Sequence, residues 1–327
     1  MRRRQFITAT VLPLAATLPG AARAQSTGAW PARTVRIIVP FGPGSTPDIL
    51  ARLVADRMTQ SLGQSFIVEN KAGAGGSIGT LAVARAPADG YTIGLSITGP
   101  LVNNTILYSK MAYDPFRDLA PVTLAAVQPS VLAVSPSLNV NSVAELMALL
   151  RANPGKYNYA SLGAGTVAHL AMELIKARSG TYIVHIPYPS SPAAVTSILA
   201  GDTQMGTLPP AAVMPQVRAG KLRALAVTTG QRYALLPELP TFREAGIPDV
   251  EASAWLGFVV PSGVPAPLVE QLNRELVAAL REPAVADKLR AQYMQPMPGT
   301  PKEFADFMQA ELRRWTPVIQ RAGVRLD

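Results

Sequence analysis

Cysteine is absent from this 327-residue chain, and charged residues make up only 16% of it. Without cysteine, the chain has neither a disulfide scaffold nor a thiolate metal site. Its two histidines and scattered carboxylates show no metal-ligand spacing, and we expect no metal and no cofactor. Intrinsic disorder requires low hydrophobicity and high net charge, whereas 48% of these residues are hydrophobic. The length suits two α/β lobes, each with a core of its own.

Residues 1–24 contribute four units of the formal net charge of +9. Four of the 30 basic residues lie in the first 24 positions, and the other 26 stand against 21 acidic ones. These 26 mostly alternate with acidic residues on predicted helices and form no run interleaved with aromatics. A nucleic-acid interface needs a clustered basic patch. We therefore expect no nucleic-acid partner.

Residues 1–24 have the three parts of a secretory signal peptide. Three arginines at positions 2–4 precede an apolar stretch over 6–18, and Ala22-Arg23-Ala24 has the A-x-A form of a cleavage site. The apolar stretch is shorter than the about 20 residues needed to cross a bilayer. The paired arginines also resemble a twin-arginine signal, so that route and the general secretory route both stay open. We expect cleavage after about Ala24 and a periplasmic mature protein.

Strand and helix patterns alternate along the rest of the chain. An apolar run over 35–39 precedes a loop rich in Gly, Pro, Ser and Thr, and helical periodicity follows over 49–62. Further strands are predicted over 65–69 and 91–97, and such alternation indicates a parallel sheet flanked by helices. The same order of strand, glycine-containing loop and helix returns over 157–178.

Helix ends are marked by capping residues. Ser142 with Glu145 and Thr300 with Glu303 have the spacing of capping boxes. The helix that begins after Thr300 is predicted to bend or end at Pro317.

The first candidate site is the loop over 41–48, called here the first loop. Glycines after a parallel strand turn backbone N–H groups outward, and the helix that follows presents its positive end, which favours a carboxylate. One helix end contributes only about 0.3–1 kcal/mol, against roughly 8 kcal/mol for micromolar binding, so several donors must converge. A purely structural alternative is that Ser45 or Thr46 caps the helix, Pro47 starts it and Asp48 sits in its first turn.

The loop over 161–166, the second loop, offers the same features, with His169 one turn into the following helix. If the two lobes face each other, the two loops meet across a cleft, where ligands bind in open α/β sheets.

A third glycine-rich segment over 73–79 matches two enzymatic motifs incompletely. Ile78 replaces the last glycine of a dinucleotide fingerprint. Ser77 lies in a G-x-S-x-G match, but several loop residues separate it from the preceding strand, whereas a nucleophile elbow follows a strand directly. A secreted serine hydrolase using Ser77 is kept as an alternative.

A series of short motifs stands in order along the mature chain. They are Trp30-Pro31 before Ile37-Ile38-Val39-Pro40-Phe41, Asp48-Ile49-Leu50-Ala51-Arg52, Asp89-Gly90-Tyr91-Thr92, Tyr113-Asp114-Pro115, Tyr159-Ala160-Ser161, His185-Ile186-Pro187-Tyr188 and Trp255-Leu256-Gly257. In this order and spacing, the chain resembles the periplasmic solute receptors of tripartite tricarboxylate transporters, the Bug family, over residues 30–324.

The resemblance implies an α/β fold of the two-lobed periplasmic-binding-protein type (type II-like), in which each lobe is a mostly parallel sheet flanked by helices and the chain crosses twice between lobes. Residues 25–124 with 250–327 would form one lobe, and 125–249 the other. It also implies a small carboxylate ligand, delivered to the membrane components of a transporter, with no catalysis. A monomer is expected. A receptor that signals through a sensor instead of feeding a transporter is the other alternative.

In the family, the two loops hold the ligand carboxylate, and they map onto 41–48 and 161–166. Backbone N–H groups and hydroxyls of both loops are predicted to hold the charge, while Phe41 and Leu162 pack the ligand body and Thr98 and Tyr188 shape the walls. Asp48 is expected to organise its loop, and Trp255 and His185 to be structural. The predicted binding residues are Phe41, Gly42, Gly44, Ser45, Thr46, Asp48, Thr98, Ser161, Leu162, Gly163, Gly165, Thr166, His169, Tyr188 and Leu208.

Several positions depart from the family pattern. Ser45 replaces the second of two adjacent glycines, Leu162 replaces a small or polar residue, and Pro189 stands where a basic residue is frequent. Leu208 stands where the family often has Asp. Because these changes remove charge and add apolar surface, we predict a less polar carboxylate, aromatic or longer-chain, as the ligand.

Overall fold

A computed structural model describes residues 30–326 of the chain, so the predicted signal peptide over 1–24 lies outside the described residues. The strands are β1 Val35–Val39, β2 Phe66–Asn70, β3 Thr92–Ile97, β4 Leu119–Gln128, β5 Val131–Val134, β6 Asn158–Ser161, β7 Val184–Pro187, β8 Met205–Leu208, β9 Arg223–Val227, β10 Ala254–Pro261 and β11 Gln295–Pro296. The α-helices are α1 Thr46–Leu62, α2 Ser77–Ala84, α3 Asn104–Leu107, α4 Pro115–Asp118, α5 Val143–Ala152, α6 Val167–Ser179, α7 Ser191–Ala200, α8 Pro210–Arg218, α9 Ala266–Arg281, α10 Pro283–Ala291 and α11 Pro301–Ala322.

The first sheet has six strands in the order β11-β4-β10-β3-β1-β2. Alternate residues of β1 face opposite sides of this sheet. Ile37 packs in a core with α1, α9 and α10, whereas Ile38 packs on the other side with α2 and α11. Leu50, Val54 and Met58, spaced by four on α1, are fully buried, which is why this segment is a helix against the sheet.

The second sheet has five strands in the order β7-β6-β8-β5-β9. Helices α5 and α6 cover one face, and α7 and α8 cover the other. In both sheets most strands run in one direction, as the sequence predicts: β1, β2, β3 and β4 in the first sheet, and β6, β7, β8 and β9 in the second. The strands next to the crossings between the lobes run antiparallel to their neighbours, β10 beside β3 and β4, and β5 beside β8 and β9.

The chain crosses between the two sheets after β4 and again between β9 and β10. Thr228 ties the two crossings together. Its N–H donates to the Ser130 carbonyl (3.0 Å), its Oγ1 accepts from the Ser130 N–H (2.9 Å), and its carbonyl accepts from the Ala252 N–H (2.9 Å). Strand β4 stays in the first sheet as far as Gln128, four residues beyond the predicted boundary at 124. The lobe boundaries at 124 and 250 stay a prediction.

The helix ends differ from expectation in two places. The capping box of Thr300 and Glu303 is confirmed, but Glu145 accepts from the Asn141 N–H (2.7 Å) rather than from Ser142, whose hydroxyl does cap α5. Helix α11 continues past Pro317, because Trp315 and Ile319 are buried on either side of it. Over residues 30–326, no helix combines the length and apolar character that crossing a membrane requires.

Candidate functional site

The first and second loops face each other across a small cavity between the two sheets. Its volume is about 30 Å³. The residues that line it come from both lobes and from the first crossing, and none of them is charged. From the first lobe they are Phe41, Thr46, Pro47, Ile97, Ala254 and Leu256, from the second Leu162, Thr166, Val167, Ala168 and Pro209, and from the crossing Gln128 and Ser130.

Asp48 organises the first loop. Its carboxylate accepts hydrogen bonds from the Gly44 N–H (2.9 Å) and from Asn70 Nδ2 (2.9 Å), and it pairs with Arg52 (2.9 Å). Burial on its own would raise the pKa of Asp48, but the hydrogen bonds from Arg52, Gly44 and Asn70 lower it below its ordinary value. The carboxylate therefore stays ionised and fixes the loop.

The start of α1 is turned to the cavity, because its first two residues, Thr46 and Pro47, line it. Ser45 is the N-cap residue, but its hydroxyl makes no capping bond and donates instead to the Gly42 carbonyl (2.6 Å). The first N–H groups of a helix have no partner within the helix. Pro47 has no N–H, so the donors at the start of α1 are the N–H groups of Thr46 and Asp48.

Side chains hold the backbone N–H groups of the second loop. Ser161 Oγ accepts from the Gly163 N–H (3.0 Å), and His169 Nδ1 accepts from the Gly165 N–H (3.2 Å). The Thr166 hydroxyl caps α6 by accepting from the His169 N–H (3.4 Å). The glycine N–H groups are thus already paired, and the free donors of this side belong to the first turn of α6, whose Val167 and Ala168 line the cavity.

Two histidines stand behind the second loop. The rings of His169 and His185 stack with centroids 4.3 Å apart, and Tyr159 stacks on His185 at 4.9 Å. His185 Nε2 lies 2.5 Å from Ser161 Oγ. Burial, with the neighbouring His169, lowers the pKa of His185 to about 4, and burial also lowers that of His169. Both imidazoles are therefore neutral near pH 7, and they support the loop without adding charge.

The glycine-rich segment over 73–79 forms a contact between the lobes. A Cβ on Gly75 would lie 2.2 Å from the Ala164 carbonyl oxygen, and one on Gly163 would lie 2.9 Å from Gly75 Cα. The two backbones therefore touch, and only glycine fits there. Ser77 accepts a hydrogen bond from Asn104 Nδ2 (2.8 Å). Since the two histidines of the chain pack behind the second loop, Ser77 lacks the arrangement of a nucleophile elbow.

The structure places the predicted binding residues in three groups. Phe41, Thr46, Leu162 and Thr166 line the cavity. Thr98, Tyr188 and Leu208 lie away from it, Thr98 bonded to the Trp255 backbone and the other two packed in the core beneath α7 and α8. Gly42, Gly44, Ser45, Asp48, Ser161, Gly163, Gly165 and His169 build or support the two loops.

Gln128 is a cavity residue that the sequence reasoning missed. It is 3% exposed, its Nε2 donates to Thr46 Oγ1 (3.2 Å), and its Oε1 is buried with no hydrogen-bond partner among the described residues. A polar amide in the middle of the apolar run over 122–134 was the one signal available. The unpaired oxygen leaves hydrogen-bonding capacity at the cavity wall.

A larger cavity, of about 520 Å³, lies elsewhere, between α6, residues 249–251 and α11. Most of its charged groups have ion-pair partners: Arg178 pairs with Asp249 inside the cavity (3.2 Å), and Arg314 and Glu251 pair with Glu311 (3.0 Å) and Arg243 (2.9 Å) outside it. Volume alone therefore does not mark the site, whereas the convergence of two helix starts does. Within residues 30–326, no group of three or more His, Asp or Glu side chains is arranged to hold a metal.

Two mixed sheets, two crossings and a cavity between opposed helix starts define a two-lobed ligand-binding receptor. The chain belongs to the tripartite tricarboxylate transporter family of receptors, whose family model matches residues 50–324. Family members are periplasmic binding proteins, so the resemblance seen in the sequence is confirmed.

The relatives span nearly the whole chain. Protein BugT of Bordetella pertussis is 38% identical over 308 residues, which are 94% of each protein. A solved R. palustris protein structure with adipate is 37% identical, with a TM-score of 0.87, and covers 90% of this chain and 99% of its own. MatC from Rhodopseudomonas palustris with bound malate is 29% identical, with a TM-score of 0.84, and covers 89% of this chain and 100% of its own.

Proposed function

We propose that this protein binds a small carboxylate of low polarity in the cleft between its lobes and delivers it to the membrane components of a tripartite transporter. The observation that carries the proposal is the pair of helix starts, α1 and α6, at a cavity with no charged side chain. Two similar solved proteins hold adipate and malate, which are both carboxylates.

The charge balance of the cavity favours a ligand that places a single carboxylate inside the cavity. Each helix start is equivalent to about half a positive charge, so two of them match one carboxylate. Thr46 adds a hydroxyl at the same place, since among the described residues its oxygen only accepts, from Gln128 Nε2, whereas the Thr166 hydroxyl already donates to the Gly163 carbonyl (2.7 Å). A second or third carboxylate in the cavity would find no cation in its lining, and burying an uncompensated charge is costly. Citrate-like ligands are therefore disfavoured.

Ligand entry requires the lobes to separate. A cavity of about 30 Å³ has room for roughly one or two water molecules, whereas small-molecule sites usually occupy about 300–1,000 Å³. The crossings tied by Thr228 are the natural hinge, since hinge closure around a ligand turns on a few residues between rigid lobes.

The proposal also includes export from the cytoplasm, binding without catalysis and a monomeric state. The signal-peptide pattern over 1–24 supports export with cleavage after about Ala24. The family is one of receptors, and Ser77 is not paired with a histidine, which supports binding without catalysis. We expect the mature protein to act as a monomer.

The test is thermal denaturation of residues 25–327 with benzoate, hexanoate, malate and citrate. A ligand at 100 times its dissociation constant stabilises the protein by about 2.7 kcal/mol, which raises the melting temperature by several degrees. We expect benzoate or hexanoate to give the larger shift. A larger shift with citrate would contradict the low-polarity ligand, and no shift with any of the four would contradict a carboxylate receptor.

A pair of variants tests whether the ligand binds in the cleft. Gln128→Glu adds a negative charge to the cavity wall and is expected to weaken carboxylate binding at least tenfold. Gln309→Glu, at an exposed position of α11, adds the same charge far from the cavity and should bind as the unmodified protein does. Equal binding by both variants would remove the cleft as the site.

A further inference from the structure

The last helix, α11, packs against both lobes. Near its start, Phe304 and Met308 are buried in a core with β1 and β10 of the first sheet. Near its end, Trp315 and Ile319 are buried in a different core, together with residues of the second lobe. The helix runs without a break through Pro317, which lies between these last two. It therefore connects the lobes without being one of the two chain crossings.

The contact between α11 and the second lobe is apolar. We call its buried members the α6–α11 cluster, and they are Leu107, Val167, Leu170, Ala171, Leu174, Ala252, Trp315 and Ile319. Four of these eight residues lie on α6, and Trp315 and Ile319 are only 1% and 2% exposed. Because the burial of large apolar side chains is a main source of stability, pulling α11 away from α6 would be costly.

Glu311 fixes α11 beside the second crossing. Its buried Oε2 accepts hydrogen bonds from the indole N–H groups of Trp255 (3.0 Å) and Trp315 (3.1 Å). One turn further along, Arg314 donates to the Glu251 carbonyl (3.1 Å). Trp255 belongs to β10, and Glu251 to the segment that leads into it. The α6–α11 cluster therefore lies next to the point where the chain returns to the first lobe.

Two other contacts between the lobes are of a different kind, and we call them the mouth contacts. In one, the Gly42 N–H donates to the Pro189 carbonyl (3.3 Å), and a Cβ on Gly42 would lie 3.2 Å from Ser190 Cβ. In the other, the Gly75 backbone meets the Ala164 carbonyl. Both are made by backbone and small side chains, and a hydrogen bond lost there is replaced by one to water. They therefore cost less to separate than the α6–α11 cluster.

The mouth contacts also lie further from the crossings than the cluster does. In the first sheet, β1 and β2 are two and three strands away from β10, and Gly42 and Gly75 follow these two strands. At about 4.8 Å per strand, these separations are roughly 10 and 14 Å. Ala252 of the cluster comes two residues before β10. A rotation near the crossings would thus move the mouth contacts most and the cluster least.

We propose that the cleft opens by rotation about the α6–α11 cluster, which stays packed while the mouth contacts separate. Helix α11 is then a third connection between the lobes, and together with the two crossings it sets the axis of the motion. The contrast between an apolar cluster beside the crossings and backbone contacts far from them carries this proposal. It goes beyond the proposed function, because the motion can be measured without any ligand.

The first experiment uses the absence of cysteine, which lets pairs of introduced cysteines carry spin labels. Ile67→Cys with Val184→Cys places labels on the exposed edge strands β2 and β7, three strands from β10 and β5. Ala177→Cys with Arg313→Cys places them at exposed positions of α6 and α11. Without ligand, the distance distribution of the first pair should be about twice as wide as that of the second. Hexanoate should shorten the first distance and leave the second unchanged.

The outcomes separate this proposal from the proposed function. Equal widths for the two label pairs without ligand would overturn the pivot, and so would a change in the second distance as large as that in the first. A wide first distribution and a narrow second one that respond to none of benzoate, hexanoate, malate and citrate would support the pivot. The same result would contradict a carboxylate ligand.

The second experiment weakens the cluster and repeats the distance measurement between positions 177 and 313 without ligand. Ile319→Ala removes a side chain that contacts both lobes, and it should widen this distribution about twofold. Met308→Ala is the matched control, because Met308 is equally buried on the same helix but packs only in the first lobe. It should leave the distribution unchanged. An unchanged width in Ile319→Ala, or an equal widening in both variants, would overturn the pivot.

Discussion

The two loops that face each other across the cleft share a local plan but are held by different chemistry. Each follows a parallel strand and leads into a helix whose first turn lines the cavity. The first loop is held by an ionised carboxylate, Asp48, which gathers donors from the backbone, an amide and a guanidinium. The second is held by neutral groups, the Ser161 hydroxyl and the imidazoles of His169 and His185.

The difference shows what each loop depends on. A carboxylate accepts several hydrogen bonds at once, so the first loop relies on one buried anion whose charge is balanced by Arg52. The second loop is held by several neutral hydrogen bonds, each of which contributes less to stability than a bond to a charged group does. The two loops should therefore differ in the cost of losing one side chain and in their response to pH.

Asp48→Ala is expected to have the largest effect. It leaves the Gly44 N–H and Asn70 without their acceptor, and hydrogen bonds to a charged group contribute about 1.5–3 kcal/mol. We expect urea denaturation to show a loss of about 2–3 kcal/mol in the free energy of unfolding, together with loss of carboxylate binding. Asp48→Asn keeps one acceptor, so its free energy of unfolding should lie between those of the unmodified protein and Asp48→Ala. A loss no larger than that of Ser161→Ala would contradict the contrast between the loops.

Gly75→Ala tests the backbone contact that the second loop makes with the opposite lobe. The added Cβ would meet the Ala164 carbonyl oxygen at 2.2 Å, so the lobes cannot close fully. We expect carboxylate affinity to fall at least tenfold, about 1.4 kcal/mol, as measured by calorimetry.

Gly63→Ala is the matched control for this variant. Gly63 has φ of 68° and Gly75 of 59°, so both substitutions carry similar backbone strain. A Cβ on Gly63 meets nothing within 4 Å. It should therefore lower stability without lowering affinity. An equal loss of affinity in both variants would mean that strain, not lobe contact, is responsible.

Ser161→Ala removes one neutral member of the second loop. The Gly163 N–H and His185 Nε2 lose their shared partner, and a neutral hydrogen bond contributes about 1 kcal/mol. Urea denaturation should show a loss of about 1 kcal/mol, clearly less than for Asp48→Ala. Ser137→Ala, in an exposed serine pair, should change stability little. A loss equal to that of Asp48→Ala would show that the two loops are not held differently.

The local parts of this site could be predicted from the sequence, because they depend on neighbours along the chain. The strand before Phe41, the helix after Thr46 and the turn of glycines between them follow from periodicity and from backbone preferences. The same holds for the second loop and for Thr166 as the cap of α6. The role expected for Asp48 also agrees with its contacts, since its position in the first turn of α1 is a local property.

What could not be predicted depends on how distant segments come together. Gln128 reaches the cavity because β4 carries it to the first crossing, and no local pattern marks that position. The meeting of Gly75 with Ala164 requires the placement of one lobe on the other. The antiparallel entry of β10 between β3 and β4 is also a long-range pairing, which no local pattern of the chain marks.

The smallest expected effect concerns pH. Burial and His169 lower the pKa of His185 from 6.5 to about 4 in the folded protein. Between these two values the unfolded chain binds more protons, so stability should fall as pH decreases from 6.5 to 4, and this loss should level off below pH 4. The titratable groups that face His185 are Tyr159, His169, Glu173 and Lys176, and the Ser161 hydroxyl contacts its Nε2.

His185→Gln removes this titration while keeping a hydrogen-bond donor for Ser161. Urea midpoints measured at several pH values between 4 and 6.5 should therefore decline less steeply in His185→Gln than in the unmodified protein. His169, whose pKa burial also lowers, should keep part of the slope. Asp48→Ala should retain the full slope in this window, because the lowered pKa of Asp48 places its contribution at lower pH. An unchanged slope in His185→Gln would contradict neutral imidazoles behind the second loop. A lost slope in Asp48→Ala would contradict an Asp48 that stays ionised in the first loop over this pH range.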